Sequence, residues 1–477
     1  MRPTDHSIEQ EPRSSKERCW CLSIRAGFIF PILMMVGILL FLTVNVPYWD
    51  DFDAILAYLI RPTLGERFAH LADFHNEHRI LTARLILELL YGLTGTINFR
   101  TCMAIGGLFL TGYGLLFLIP FKRLGRRGIL AFLPCFWLIV SFIHYENLCW
   151  AMTAISNLQG PFWALLAMIL TEGKSFKRLA GALVAAVLCT FSTGGGVSIW
   201  PCLLLALLFR PGTACGSWGA SLSACGHPDR TDFSRFLLTL VAGILALSLF
   251  FTGFSHHASE MHIQGFTRVI HTVIFFLSFV GSWVPHFGLS LLVGSVMLLM
   301  TVWIAWHFPK LRNPLPLFFL VYLFGNMAAA ALFRCDDFRQ AVSFRYILFP
   351  ISALTCLIYL VTDADLIPQR IYKPLLILFA SGAFLYTTGF LVLGAPLFAH
   401  RNEILRHNVL CWPAYPNALR CPSARYAYYD GIMHAAVAKG IYNPERVTRP
   451  GETITGGPLK WLVEEKEDPT PANPDPQ

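Results

Sequence analysis

The chain has 477 residues, of which 55% are hydrophobic and only 14% charged, where an ordinary soluble domain carries about 25% charged residues. That composition excludes a soluble enzyme and points to a polytopic membrane protein. The formal net charge of +8 sits largely in short basic loops of the kind that set membrane topology. No RNA- or DNA-binding pattern accompanies it, so nucleic acid is not an expected partner.

Residues 1–25 are polar and mixed in charge and read as a cytoplasmic tail. The apolar run from Ala26 to Val46 lacks an A-x-A cleavage site, so it reads as a retained first span and not a signal peptide. Further apolar runs cover 101–120, 129–145, 151–171, 179–192, 198–209, 236–254, 268–285, 287–307, 314–333, 346–362 and 374–394. The connections "FKRLGRRG" (121–128), "EGKSFKR" (172–178) and 210–235 are basic and face the cytoplasm. The loop 47–100 then lies outside, with 193–197 and 255–267.

Segment 268–285 decides the parity. Arg268, His271, Gly281 and Pro285 weaken it as a lipid-facing span. Read as re-entrant, it leaves about 11 spans, the N-terminus inside and the C-terminus outside. Read as a span, it gives about 12 and moves the tail inside. The expected fold class is therefore an all-α polytopic integral membrane protein of about 11–12 transmembrane helices, with juxtamembrane helices in the first extracytoplasmic loop. Four parts are expected: the tail 1–25, a transmembrane domain 26–394, a small extracytoplasmic region 395–460, and a tail 461–477 too Pro-rich and charged to fold.

The first loop opens on "VPYWDDFDAILAYL" (46–59), which places Asp50, Asp51 and Asp53 at the mouth of the first span. Acids there can activate a hydroxyl, hold a divalent cation or pair with nearby arginines. Pairing with Arg61 or Arg79 is the structural alternative. "FDAILAYLIR" and "HRILTARLILELLYGL" show a period near 3.6 and read as amphipathic helices lying along the outer membrane surface. On the second, His75, His78 and Arg79 would share one face, and Glu77 and Arg84 another. The loop holds five arginines and no lysine, and arginine suits bidentate binding of carboxylate or phosphate.

Three further stretches carry polar groups. "IHYENLCWAMTAISNLQGPFW" brings Glu146 to the same surface, though a solvated acid in an aromatic belt would look alike. "FSTGGGVSIWP" (191–201) could cradle an anion on free N–H groups, but a tight turn between spans is the plainer reading. "FRCDDFRQAVSFRYILFP" (333–350) sets Arg339, Arg345 and Tyr346 near the outer surface. A lipid phosphate would suit the arginine forks, and pairing with Asp336 or Asp337 is the structural alternative. "HNEH" is not a zincin motif, because His75 and His78 are spaced i, i+3 and Glu77 is out of register. Most of the 13 cysteines read as small core residues. Cys411 and Cys421 lie in the polar tail with Pro413 and Pro416 between them, and a disulfide is expected there if the tail is outside.

Taken together, the "WDD" after the first span, the acid- and arginine-bearing loop, and the late Arg345-Tyr346 pair resemble the GT-C class of membrane glycosyltransferases. That class includes protein mannosyltransferases, lipid-A aminoarabinose transferases and uncharacterised bacterial relatives with "HNEHRI"-like and "YENLCW"-like stretches. The resemblance spans roughly residues 26–400. It implies an enzyme of the bacterial inner (cytoplasmic) membrane, taking a sugar from a polyprenyl-phosphate donor at the outer face. The acceptor would be an envelope lipid, glycan or protein. Asp50 or Asp51 would be the catalytic base, with His75, Glu77, Arg79, Glu146, Arg339, Arg345 and Tyr346 around donor and acceptor. The cofactor is left open, a divalent cation on Asp50 and Asp51 being one candidate. Two other readings compete: a transporter or lipid flippase using the glycine-rich break as a midplane site, and a non-catalytic envelope scaffold.

Overall fold

The computed structural model describes residues 15–209, 230–254, 263–307, 311–415, 418–419 and 426–447. Cys421 lies outside the described residues, and so does the expected Cys411–Cys421 pairing.

The chain is almost wholly helical. In order come α1 (Ser15–Phe41), a helical turn over 52–59, α2 (Leu64–Ala69), a short hairpin of β1 (Phe74–His75) and β2 (His78–Arg79), and α3 (Leu81–Thr94). There follow α4 (Phe99–Arg123), α5 (Gly125–Ile139), α6 (Ala151–Asn157), α7 (Gln159–Thr171), α8 (Phe176–Thr190), α9 (Ile199–Leu208) and α10 (Arg230–Phe251). The last third holds α11 (Gly265–Val280), α12 (Phe287–Trp306), α13 (Leu315–Arg334), α14 (Leu348–Asp363), α15 (Gln369–Cys411) and α16 (Tyr426–Ala438).

Among the described residues, 8 helical stretches are long and apolar enough to cross a membrane, and α9, α11 and α14 are shorter apolar helices. Leu33 and Leu40 on α1, Leu292 and Leu299 on α12, and Leu378 and Leu393 on α15 are all more than half exposed. Apolar faces of that extent need a lipid partner. The described residues have the largely helical architecture, with long apolar helices, expected of an all-α polytopic membrane protein.

The bundle has two polar ends. At the far end, Arg123 donates to Glu172 at 2.7 Å, Asn313 Nδ2 donates to Glu172 at 3.1 Å, and the Arg312 N–H donates to Asp363 Oδ2 at 2.8 Å. The opposite end, called the site end below, carries the first loop, the turn 145–150 and the segment 335–346. Helix α11 touches the site end at several places. Arg268 donates to the Leu332 carbonyl at 2.9 Å, and the rings of His271 and Phe279 lie 4.8 and 5.5 Å from those of Phe338 and Tyr346. Phe287, which opens α12, also meets Phe338, at 5.3 Å.

Two hydrophobic cores are present. The larger fills the bundle. The smaller joins the first loop (Phe52, Ile55, Leu59) to the end of α15 (Leu405, Val409) and to α16 (Tyr429, Met433). Tyr429 donates to Asp53 at 2.6 Å, Tyr442 donates to the Asn45 carbonyl at 2.9 Å, and the Ile97 N–H donates to the Ile441 carbonyl at 2.7 Å. Helix α15 runs without a break across 394–395, so the C-terminal region is continuous with the last long helix and packs on the first loop.

Two expectations for that loop need correction. The stretch 52–59 is helical, but Phe52, Ala54, Ile55, Leu56, Tyr58 and Leu59 are all buried. It is a core segment roofed by the C-terminal region, its apolar side chains packed on protein and not turned to a membrane surface. The "HNEHR" stretch is not helical at all. It is a hairpin with Asn76 at φ 52°, a left-handed position that Asn tolerates, and α3 begins only at Leu81.

Candidate active site

The hairpin register sets the histidines. His75 pairs with His78 and Phe74 with Arg79, so the two histidines share a face and Arg79 stands on the other. Arg79 is buried. Its Nε donates to the Phe250 carbonyl at 2.7 Å, its other nitrogens reach the Ala72 and Thr252 carbonyls, and its guanidinium lies 4.1 Å from the Phe74 ring. It therefore pins the hairpin to the end of α10 and is spent on backbone. Arg84 does similar work on the carbonyls of His70, Leu71 and Asp73.

His78 Nδ1 accepts the Gly194 N–H at 3.0 Å. Burial, then the nearby Arg334 charge, lowers its pKa to about 4, so the ring is neutral at pH 7. The glycine run is packed tight. A Cβ on Gly194 would stand 2.4 Å from His78 Nδ1, and one on Gly195 would stand 1.6 Å from Asn326 Oδ1. These glycines let backbone and side chains touch, and no room for an anion is left between them.

The acid pair divides. Asp51 is fully buried, and its carboxylate accepts the Met152 N–H at 2.7 Å and the Tyr48 N–H at 3.0 Å. It thereby caps α6, whose own N-cap residue Trp150 offers no side-chain acceptor. Burial pushes its pKa up to about 8, against the pull of those N–H donors. Asp50 is about one-third exposed, with Oδ2 4.0 Å from His75 Nε2. That nitrogen is buried and has no hydrogen-bond partner among the described residues. Asp51 commits both oxygens to backbone N–H groups. Among the described residues no group of three His, Cys, Asp or Glu side chains is placed to hold a metal ion.

Beside Trp49, which takes the uncommon φ of 47°, opens a cavity of about 340 Å³. Its walls include Tyr48, Trp49, Tyr145, Trp150, Arg345 and Arg401. Arg345 is presented by a grip on its backbone. Glu146 Oε2 accepts the Arg345 N–H at 2.6 Å and the Ser343 hydroxyl at 3.0 Å, while Asn147 Nδ2 donates to the Arg345 carbonyl at 2.7 Å. Glu146 is thus consumed in fixing the loop. The Arg345 guanidinium lies 5.0 Å from the Tyr346 ring and 5.8 Å from that of Trp150. Arg401 lies 4.4 Å from the Tyr48 ring and 4.7 Å from that of Phe398. Arg345 Nε, Arg401 Nη1 and Trp150 Nε1 are all buried without a hydrogen-bond partner among the described residues. Buried donors left unpaired are costly, and two guanidiniums that line one cavity, each with an unpartnered nitrogen among the described residues, suit an anion.

Tyr346 stands between two guanidiniums. Its hydroxyl meets Arg334, whose charge also lies 4.0 Å from Glu77. Arg339 is elsewhere: its side chain is 94% exposed and pairs with Asp337 at 3.1 Å. The structure therefore brings Glu146 and Arg345 to the cavity, with Tyr346 against the Arg345 guanidinium, while Asp50, next to Trp49 in sequence, meets His75. Asp51 and Arg79 serve as struts and Arg339 lies on the surface.

Arg401 was not foreseen, and Arg334, one of the three arginines of the stretch 333–350, was not counted among the site residues. Arg401 follows an apolar run in a stretch assigned to the C-terminal region, yet an arginine at the edge of a span was the signal that drew attention to Arg345. No protein-family model and no curated protein sequence matches this chain.

Proposed function

We propose that the chain is a GT-C-type glycosyltransferase that takes a sugar from a polyprenyl-phosphate donor at the outer face of a bacterial cytoplasmic membrane. The observation that carries this reading is the pair of guanidiniums, Arg345 and Arg401, each with a buried nitrogen unpartnered among the described residues, in an aromatic-walled cavity that Trp49, the sequence neighbour of Asp50, helps to line. Aromatic walls suit a sugar ring, and the apolar bundle suits a prenyl tail.

In this reading the donor phosphate sits on Arg345 and Arg401. The acceptor hydroxyl attacks the anomeric carbon, the bond from that carbon to the phosphate oxygen breaks, and the phosphate leaves with the electron pair. Asp50 takes the hydroxyl proton, and the two arginines stabilise the charge gathering on the phosphate. A single base implies inversion at the anomeric carbon. His75 supports the Asp50 carboxylate.

The site end then faces away from the cytoplasm, and the contacts of α11 at that end support its being re-entrant. The tight packing of Gly194 and Gly195 argues against a flippase that would open at that break. The reading is tested with purified protein in proteoliposomes carrying a radiolabelled polyprenyl-phosphate sugar. Release of polyprenyl phosphate with label on an acceptor supports it. Movement of intact donor across the bilayer without transfer would replace it with the flippase reading.

A further inference from the structure

At the far end of the bundle is a second cavity, of about 410 Å³. Its charged lining comes from four connections: Arg123, Glu172, Arg178, Arg312 and Asp363. Their pairing leaves an imbalance. Glu172 is occupied, since its two oxygens accept from both terminal nitrogens of Arg123 and from Asn313. Asp363 is half-occupied. Oδ2 accepts the N–H groups of Arg312 and Asn313 at 2.8 and 3.1 Å, which fixes the turn before α13. Oδ1 is buried and has no hydrogen-bond partner among the described residues, on a residue only 2% exposed. A buried carboxylate oxygen without a donor is as costly as an unpaired N–H, so the cavity wall carries an unmet acceptor, and the Tyr359 hydroxyl in the same lining is also buried without a partner among the described residues.

The cation side is also underused. Arg312 is 72% exposed and reaches Asp365 only at 3.4 Å, and Arg178 donates to the Ile169 carbonyl at 3.0 Å. Both retain N–H groups for an anion. A bare divalent cation is a poor fit, because one carboxylate oxygen is all it would find. A simple anion is a poor fit as well, because it would leave Asp363 Oδ1 unmet.

We propose that this cavity is a second binding site for a zwitterion with a primary ammonium a few bonds from a phosphate, as in a phosphoethanolamine group. The ammonium donates to Asp363 Oδ1, and the phosphate lies toward Arg312 and Arg178. The site stands at the opposite end of the bundle from the Arg345–Arg401 cavity and is independent of glycosyl transfer. The same chemistry could come from a membrane lipid or from a free small molecule.

The test uses the full chain in nanodiscs. Native mass spectrometry counts bound phosphatidylethanolamine, phosphatidylcholine and phosphatidylglycerol, and free phosphoethanolamine is added as competitor. Phosphatidylethanolamine is expected to bind best, because a quaternary ammonium has no N–H to donate and a glycerol headgroup has no charge for Asp363. Asp363→Asn keeps one oxygen for the Arg312 and Asn313 N–H groups and turns a donor toward the cavity. It is expected to weaken phosphatidylethanolamine at least about tenfold, leaving the melting temperature in phosphatidylcholine discs close to that of the wild type. Competition by free phosphoethanolamine assigns the site to a soluble group, and its failure to compete assigns it to the lipid. Equal binding of all three lipids with no binding of free phosphoethanolamine, or an unchanged preference in Asp363→Asn, overturns the proposal.

Discussion

The Glu146 carboxylate accepts the backbone N–H of Arg345 at 2.6 Å across 199 residues of sequence. An acid expected around donor and acceptor is thereby the clamp that aims an arginine. Because Ser343 donates to the same oxygen, Glu146→Ala leaves two partly buried donors unmet. It should cost about 1–3 kcal/mol, read as a lower melting temperature, and raise the KM for donor more than it lowers kcat. A large kcat loss at unchanged KM would instead place Glu146 in the chemistry.

Asp50 and Asp51 should separate cleanly. Asp50→Asn is expected to abolish transfer with little change in stability, since a partly exposed acid adds little. Asp51→Asn is expected to lower stability, because an amide cannot accept from both Met152 and Tyr48. Full activity in Asp50→Asn would remove Asp50 as base.

Asp51 also predicts a pH dependence. Its folded pKa of about 8 lies above the ordinary 3.8, so the folded state binds the extra proton between those values. Its contribution is complete at low pH and is lost as pH rises toward about 8. His78, lowered from 6.5 to about 4, acts oppositely: its contribution holds above 6.5 and is lost as pH falls toward 4. Melting curves from pH 5 to 8 should show Asp51→Asn flattening the alkaline decline. An unaltered slope in that variant would reassign the decline to other groups.

The two cavity arginines should behave alike and unlike Arg339. Arg401→Lys and Arg345→Lys each replace a planar fork with a point charge, and donor KM should rise about tenfold in each. Arg339→Ala should be close to silent, because its side chain is 94% exposed and a surface pair contributes little. A silent Arg401→Lys would detach that residue from the donor.

Sidedness can be checked with single cysteines. A Cβ at Gly65 meets nothing within 4 Å, and Lys174 is exposed at the far end. In intact cells an impermeant thiol reagent should label Gly65→Cys and spare Lys174→Cys. The reverse pattern would invert the orientation proposed for the site.

The sequence alone determined the class of protein. Long apolar runs with sparse charge admit little except membrane-crossing helices, since every backbone polar group must be satisfied within its own segment. The described helices α1, α4 and α12 cover the runs 26–46, 101–120 and 287–307 within a few residues. It also marked Arg345, Tyr346 and Glu146 as worth attention. What it could not decide was the direction in which each polar group faces. Asp50 and Asp51 are neighbours with the same chemistry, yet one meets His75 and the other caps a helix a hundred residues away. His75 and His78 share a face by cross-strand pairing and not by helical spacing, because Asn76 takes a left-handed turn that periodicity does not register. Arg401 joined Arg345 only when α15 packed against the first loop. Local pattern fixes which segments are helical, while the pairing of a buried charge depends on distant segments that only the packed chain brings within a few ångströms.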